Sequence, residues 1–209
     1  MGCDKEEAFE TQPLNGMVQE QNFGTDPESC EIIEFEEATG NVGTVYSQGT
    51  PVQVSGQLRL PNGKFKKNNT ALVIDTSVPN PHNFRTPNPA AIRPMGNILT
   101  IADGKGKKQA QTISDEGGRI ELDFSAMGTI TLKGIHILDI EAHEAGTTIE
   151  VLDKKGKVLK TINPPVTGAK GATRVTIEQK GVALLRVTFN STQKGKGGGA
   201  IDVIEFCRD

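Results

Sequence analysis

The chain has 209 residues, a formal net charge of -3 and a pI near 5.7. This balance argues against a nucleic-acid binder and a polybasic membrane-surface protein, which normally carry a basic excess. No apolar run approaches the roughly 20 residues that a membrane-spanning helix needs. A hydrophobic fraction of only 35%, with 24 glycines and 11 prolines, indicates many turns between short elements.

Residues 1–29 are predicted to be a flexible N-terminal tether, because they are polar and lack periodic apolar positions. Cys3 follows Gly2 and precedes an acidic stretch, which resembles the junction of a bacterial lipoprotein, where such a cysteine carries the lipid. No apolar signal segment precedes it, so we interpret Met1 as lying near the site of a removed signal peptide. Lipidation at Cys3 is therefore predicted; the alternative is an incidental thiol in the tether.

From Cys30 onward, short apolar runs alternate with turn residues, and no helical apolar period is present. The turn Asp153–Lys157 contains a glycine and predicts a hairpin between the strands on either side. The predicted strands are Glu31–Glu36, Val52–Leu60, Ala71–Asp75, Asn97–Ala102, Arg119–Phe124, Thr129–Ile140, Thr147–Leu152, Val158–Ile162, Ala172–Glu178, Ala183–Phe189 and Ala200–Phe206. Their spacing predicts that residues 30–209 form an all-β domain, a jelly-roll β-sandwich of two antiparallel sheets.

Cys30 and Cys207 lie at opposite ends of this domain. Cys30 immediately precedes the first predicted strand, and Cys207 closes the last. If these two strands are antiparallel neighbours, the two cysteines lie side by side at a distance that a disulfide can bridge. We therefore predict a Cys30–Cys207 disulfide; the alternative is a pair of unrelated buried thiols.

The segment from Ser77 to Pro94 has five prolines and no apolar periodicity. Long irregular loops in compact domains often carry function, so this loop is the first candidate for ligand binding. A proline-stiffened crossover between the sheets is the alternative. The candidate ligand-binding residues are His82, Asn83, Arg85 and Asn88.

Several short motifs resemble a known group of proteins. In chain order they are Leu72-Val73-Ile74-Asp75-Thr76, Gly96-Asn97-Ile98-Leu99-Thr100-Ile101, Gly117-Gly118-Arg119-Ile120-Glu121-Leu122-Asp123-Phe124, Ile137-Leu138-Asp139-Ile140-Glu141 and Gly199-Ala200-Ile201-Asp202-Val203-Ile204. Together they are similar to secreted bacterial jelly-roll modules of the carbohydrate-binding-module and galactose-binding-like kind. The resemblance covers roughly Glu31 to Phe206 and implies an exported module with a structural calcium at one corner.

Carboxylates near strand ends are the candidate ligands for that calcium, which prefers six to eight oxygen ligands. They are Glu36, Glu37, Asp75, Asp139, Glu141 and Asp202. Antiparallel counting from the cysteines brings Glu36 and Glu37 close to Asp202, which is predicted to share the core face with Ile204 and Phe206. A hydrogen-bonded aspartate that caps a turn is the alternative. His143 also lies beside Glu141 and Glu144 in a polar turn.

The sequence carries no recognisable catalytic motif, such as a nucleophile elbow, a phosphate-cradling loop or a zinc-binding helix. Trp is absent and Tyr46 is the only tyrosine, so sugar recognition is expected to be polar or calcium-mediated. We predict a non-catalytic, extracellular or cell-surface binding module. A glycan or a surface protein is its expected partner, and it is expected to be a monomer that touches the membrane only through a lipid anchor. A structural or adhesive module without a small ligand, and an enzyme on the same scaffold, are the alternatives.

Overall fold

A computed structural model describes residues 30–66, 68–77, 96–104, 113–169, 171–194 and 197–209. These residues form an all-β fold with two short 3-10 helices, Ser125–Met127 and Ala142–Glu144. The strands are β1 Cys30–Ile33, β2 Gly40–Asn41, β3 Thr44–Ser47, β4 Thr50–Leu58, β5 Ala71–Asp75, β6 Asn97–Ile101, β7 Gly118–Asp123, β8 Ile130–Leu138, β9 Thr148–Leu152, β10 Val158–Ile162, β11 Ala172–Val182, β12 Leu184–Phe189 and β13 Ala200–Arg208. No described helix has the length and apolar character required to span a membrane.

The strands form two antiparallel sheets, which confirms the predicted β-sandwich. Sheet A has the order β11-β8-β13-β6-β5-β2, and β1 also pairs with β13. Sheet B has the order β10-β9-β12-β7-β4-β3. All eleven predicted strands are present, and the predicted hairpin joins β9 to β10 with Asp153 accepting hydrogen bonds from the backbone of Lys155 and Lys157 at 2.8 and 2.9 Å.

Two strands were missed by sequence analysis. Strand β2 has only two residues and β3 only four, and both lie in a segment rich in glycine and polar residues. Such short strands are stabilised by their neighbours in the sheet and leave no apolar run in the sequence. Strand β11 also continues four residues beyond its predicted end at Glu178, through two register shifts against β8.

The main hydrophobic core lies between the sheets. In sheet B the burial alternates along β3, β7 and β12, as in β7, where Ile120 and Leu122 are fully buried and Glu121 between them is partly exposed. Strand β6 in sheet A is buried along its whole length. Its residue Ile98 belongs to a second cluster with Leu138 and Ala200, separate from the inter-sheet core that contains Leu99. Both faces of the centre of sheet A are therefore covered.

Gly56 lies where β4 of sheet B closely approaches the start of β5 in sheet A. Its carbonyl accepts a hydrogen bond of 2.8 Å from Thr70, and Asn69 accepts one of 2.7 Å from its amide. A Cβ at this position would lie 2.4 Å from the backbone nitrogen of Ala71. Only glycine allows β4 and the start of β5 to approach so closely.

Strands β1 and β13 pair in the predicted arrangement. Their register places Cys30 opposite Cys207 and Ile33 opposite Ile204. The two cysteines form a disulfide across a sequence separation of 177 residues, which confirms that prediction. The two ends of the domain are therefore covalently joined.

An ion pair on sheet A spans three strands. Arg174 of β11 reaches across β8 to Glu205 of β13, with its Nε 3.1 Å from both carboxylate oxygens. It passes over Gly134 of β8, where a Cβ would lie 3.2 Å from the guanidinium carbon. The missing side chain at Gly134 therefore leaves the space that the ion pair occupies.

This ion pair predicts a pH-dependent effect on stability. Hydrogen bonding from Arg174 lowers the pKa of Glu205 in the folded protein from its usual 4.5. The ion pair therefore stabilises the fold fully above pH 4.5, and this stabilisation is lost as the pH falls through the lowered pKa of the folded state. Glu205→Gln should cost about 0.5–1 kcal/mol at neutral pH, a value that allows for solvent screening. Urea unfolding across a pH series should show this cost shrinking in acid, with exposed Glu37→Gln as the control. A cost independent of pH would contradict the prediction.

Candidate functional site

A groove of about 730 Å³ lies between β1, with the segment that follows it, and the β3–β4 hairpin. We call it the Tyr46 groove. Phe35, Val42 and Val45 are buried and form its apolar floor. Its volume is within the range of about 300–1,000 Å³ that is typical of small-molecule sites.

Two large apolar side chains stand exposed in the lining of this groove. Ile32 is 55% exposed and Tyr46 is 69% exposed. Strand alternation explains both orientations, because Ile32 lies between buried Glu31 and Ile33, and Tyr46 follows buried Val45. An exposed aromatic ring beside a concave surface offers an apolar plane that a ligand can cover.

The remaining lining is polar and acidic. Glu34, Glu36 and Glu37, which follow β1, line one side of the groove, called here the acidic wall. Amides and hydroxyls complete the lining, contributed by Thr39, Asn41, Thr44 and Gln48. The groove therefore combines an aromatic plane with many hydrogen-bond acceptors and several donors, and its three carboxylates disfavour an anionic ligand.

Asn97 orders the acidic wall from within sheet A. Its side-chain amide donates to the backbone carbonyls of Phe35, Glu36 and Ala38 at 3.3, 3.2 and 3.1 Å. Its backbone amide donates to the Glu36 carboxylate at 3.0 Å. The Glu36 carboxylate packs against Gly96, which has a positive φ of 55° that favours glycine. The segment after β1 is therefore held in a defined conformation although it is not a strand.

A buried ion pair fixes the opposite wall. Glu31, whose side chain is 3% exposed, accepts a hydrogen bond of 2.5 Å from Arg208 and a short one from the Ser47 hydroxyl. Arg208 also donates to the Ser47 carbonyl at 3.4 Å. Since Ser47 follows Tyr46 directly, these contacts tie the tyrosine-bearing strand to β1 and β13.

Of the predicted calcium ligands, only Glu36 and Glu37 line the Tyr46 groove. Asp75 is exposed at the end of β5 and accepts a hydrogen bond of 2.7 Å from the Ser77 amide. Hydrogen bonding from Ser77 also lowers the pKa of Asp75. For Asp75, the turn-capping alternative describes the observed geometry.

Asp139 and Glu141 lie beyond β8, at a corner formed by the second 3-10 helix. Glu141 and Glu144 form a reciprocal capping box, and His143 lies 3.5 Å from Glu141. Glu144 is buried, which raises its pKa, and it accepts backbone hydrogen bonds from Glu141 and Gly198. The polar cluster around His143 is thus present, and Glu141 and Glu144 act in it as a helix cap.

Asp202 does not share the core face with Ile204 and Phe206, so that prediction is wrong. Ile201, Ile204 and Phe206 all belong to the inter-sheet core, so Asp202, which follows Ile201, faces the other side of sheet A. The cause is a bulge at Val203, which has a φ of 47° and coincides with a register shift against β8. Asp202 is buried there, opposite His136.

Among the described residues, no three His, Cys, Asp or Glu side chains lie close enough together to hold a metal ion. Calcium also takes backbone and amide oxygens as ligands, so calcium binding stays a prediction. Five other predicted site residues lie outside the described part of the chain: Cys3, His82, Asn83, Arg85 and Asn88.

Sequence analysis missed Tyr46 and Ile32 as site residues. The sequence carried one signal for Ile32. Successive residues of a strand point to opposite faces of the sheet, so Ile32 and Ile33 cannot both face the core. Tyr46 had no comparable signal, since it belongs to one of the two strands that were not predicted.

No protein-family model matches this sequence, and no curated protein matches it. Among solved structures, a mutant lectin domain of lectinolysin in complex with Lewis b has a TM-score of 0.34 at 8% identity, over 51% of this chain and 70% of that one. A fucose-binding module from Streptococcus pneumoniae has a TM-score of 0.33 at 11% identity, over 54% of this chain and 70% of the module. The enzymatically active domain of bacteriophage CBA120 tailspike protein 4 has a TM-score of 0.33 at 16% identity, over 74% of this chain and 19% of the tailspike chain. At these TM-scores the likenesses decide neither family nor function, and the class, a two-sheet β-sandwich, follows from the strand pairing.

Proposed function

We propose that this chain is a non-catalytic binding module that holds a neutral glycan in the Tyr46 groove. The observation that carries the proposal is the exposed ring of Tyr46 beside a groove lined by carboxylates, amides and hydroxyls. An aromatic plane packs against the apolar C–H face of a sugar ring, while carboxylates and amides hydrogen-bond its hydroxyls. The acidic wall favours a sugar without negative charge.

A preformed site also supports this function. Asn97 holds the acidic wall through four hydrogen bonds, and the Glu31–Arg208 pair holds the strand that carries Tyr46. Both walls are therefore ordered before a ligand binds, which lowers the entropic cost of binding.

A protein partner is the second candidate, favoured by the position of β3. This strand ends the order of sheet B, so its outer edge can pair with a strand of another protein. Such a partner would bind mainly through the backbone of β3 and would depend little on the ring of Tyr46.

The proposed setting is an oxidising compartment outside the cytoplasm. Disulfides persist there and are rare in reducing compartments, and the Cys30–Cys207 bond joins the ends of the domain. Lipid anchoring through Cys3 belongs to the same proposal. Calcium is not required by the groove as described, so binding should be measured both with calcium and with EDTA.

Tyr46→Ala tests the proposed function. We expect a glycan array to identify neutral ligands for the wild-type protein and calorimetry to show at least about tenfold weaker binding by the variant, because the stacking surface is lost. Thermal stability should be nearly unchanged, since the ring is mostly exposed.

Two matched variants complete this test. Tyr46→Phe keeps the ring and should retain most of the affinity, and Val158→Ala removes another exposed apolar side chain and should have no effect. Wild-type affinity in Tyr46→Ala would contradict glycan binding at this site.

A further inference from the structure

The outer face of sheet B carries three arginines. We call this surface the arginine face and define it by Gln57, Arg59, Phe65, Arg119, Glu121, Glu150, Arg186 and Thr188. Its members on the strands alternate with core residues such as Ile120 and Val187, and Arg59 and Phe65 form an isolated β-bridge beyond the end of β4. The arginine face therefore lies on the side of sheet B that points away from sheet A.

Arg186 on β12 is balanced by two carboxylates. Its Nε lies 2.6 Å from Glu121 of β7, and its Nη1 lies 3.4 Å from Glu150 of β9. Both glutamates are its direct partners in the strand register. This arrangement neutralises the charge of Arg186 within the sheet.

Arg119 on β7 is not balanced in the same way. Among the described residues, its ion-pair partner is Glu121, whose Oε1 lies 3.8 Å from Arg119 Nη1 and already accepts the hydrogen bond from Arg186. Among the residues that the structure describes, the buried Nε of Arg119 has no hydrogen-bond partner. Burial, with the positive charge of Arg186 as a second cause, lowers the pKa of Arg119.

The guanidinium of Arg119 is nevertheless held in place. It lies 4.1 Å from the centre of the Phe65 ring, a cation–π geometry. Phe65 pairs with Arg59 through an isolated antiparallel β-bridge of their backbones. The Arg59 guanidinium donates a short hydrogen bond to the side chain of Asn190. Arg59 lies two residues beyond Gln57, the register partner of Arg119, so two ordered arginines lie at the same end of the face.

We propose that Arg119, assisted by Arg59, binds the carboxylate of an acidic sugar on the arginine face, at a second site separate from the Tyr46 groove. A guanidinium presents its donors as a planar fork that matches a carboxylate. The Nε of Arg119 is buried, but 26% of its side chain is exposed to a ligand. The register partners of Arg119, Gln57 and Thr188, place an amide and a hydroxyl beside it for sugar hydroxyls. The class of ligand rests on the proposed glycan-binding function.

Two binding sites of opposite charge follow from this arrangement. The acidic wall of the Tyr46 groove repels an acidic sugar, whereas the arginine face attracts one. A heteropolysaccharide with alternating neutral and acidic residues has both of the groups that these sites require.

Calorimetric titration with an oligogalacturonide tests the second site, with a neutral oligosaccharide of equal length as the comparison. We expect Arg119→Gln to weaken oligogalacturonide binding by at least about tenfold. Arg174→Gln, which removes a partly exposed arginine from sheet A, should bind as the wild type does. Arg119→Lys keeps the charge but loses the fork, and should also bind more weakly.

Three results would overturn this inference. The first is that Arg119→Gln or Arg119→Lys binds the oligogalacturonide as tightly as the wild-type protein does. The second is that the wild-type protein binds the neutral oligosaccharide as tightly as the oligogalacturonide, and the third is that it binds a polyglutamate peptide as tightly. Circular dichroism checks that each variant is folded. If Arg119→Gln does not fold, Arg119→Lys still tests the site. Tyr46→Ala should leave oligogalacturonide binding unchanged, so failure of the groove and failure of the arginine face are separate outcomes.

Discussion

Replacing Cys30 and Cys207 by serine should lower the free energy of unfolding by about 5 kcal/mol, because the disulfide closes nearly the whole domain into one loop. The bond spans 177 residues, and in the chain-entropy model the stabilisation grows with the length of the closed loop. The cysteines also lie directly opposite each other in the β1–β13 register, so the strands support the bond geometry.

Guanidinium-induced unfolding of the oxidised protein and of the double serine variant measures this effect. Cys3→Ser, which changes the third cysteine and leaves the disulfide intact, serves as the control and should leave the free energy of unfolding unchanged. A loss below about 1 kcal/mol in the double variant would show that β1 is held without the bond, contrary to the loop-closure argument.

Replacing Glu31 by leucine should cost about 3 kcal/mol, since it leaves Arg208 and Ser47 without their shared acceptor. The Glu31 side chain is 3% exposed and Arg208 is 32% exposed, so the pair is largely shielded from water. Removing one partner of a buried pair costs more than the pair itself contributes, because the remaining charge stays buried.

The double variant Glu31→Leu with Arg208→Leu separates these two effects. It should be less destabilised than the sum of the single variants, because neither charge is then left alone. Thermal and urea unfolding provide the four free energies of the cycle. Additive losses would show that Glu31 and Arg208 act independently.

These two predictions concern the same part of the molecule as the Tyr46 groove. The disulfide and the ion pair both attach β1, and the Glu31 contacts attach β3 as well. One wall of the groove follows β1, and the other carries Tyr46 on β3. The stability of this corner and the shape of the groove therefore depend on the same contacts.

The strands and the disulfide could be predicted from the sequence because their signals are local. An apolar run bounded by turn residues marks a strand without knowledge of its partners, and β5 and β10 were predicted to the residue. The disulfide needed only one further step, the pairing of the first strand with the last.

The binding surfaces could not be predicted because they depend on contacts between distant parts of the chain. The arginine face brings Arg186 to Glu121, which is 65 positions away, and to Glu150, which is 36 positions away. The acidic wall depends on Asn97, about 60 positions from the residues it holds. No local pattern encodes these pairings.

The error at Asp202 has a different cause. Face assignment along a strand assumes strict alternation, and a single bulge reverses it for the rest of the strand. Val203 is β-branched, and its positive φ is not the conformation that its side chain favours, so the sequence carried no sign of the bulge.

Protein-detected NMR titration with a neutral glycan chosen from the array tests the central claim most directly. We expect the largest amide shift changes at Tyr46, Ile32 and Glu37 on the two walls of the Tyr46 groove, and no comparable changes in Tyr46→Ala. Shift changes confined to other surfaces, or the same changes in the alanine variant, would contradict the assignment of this groove as the glycan site.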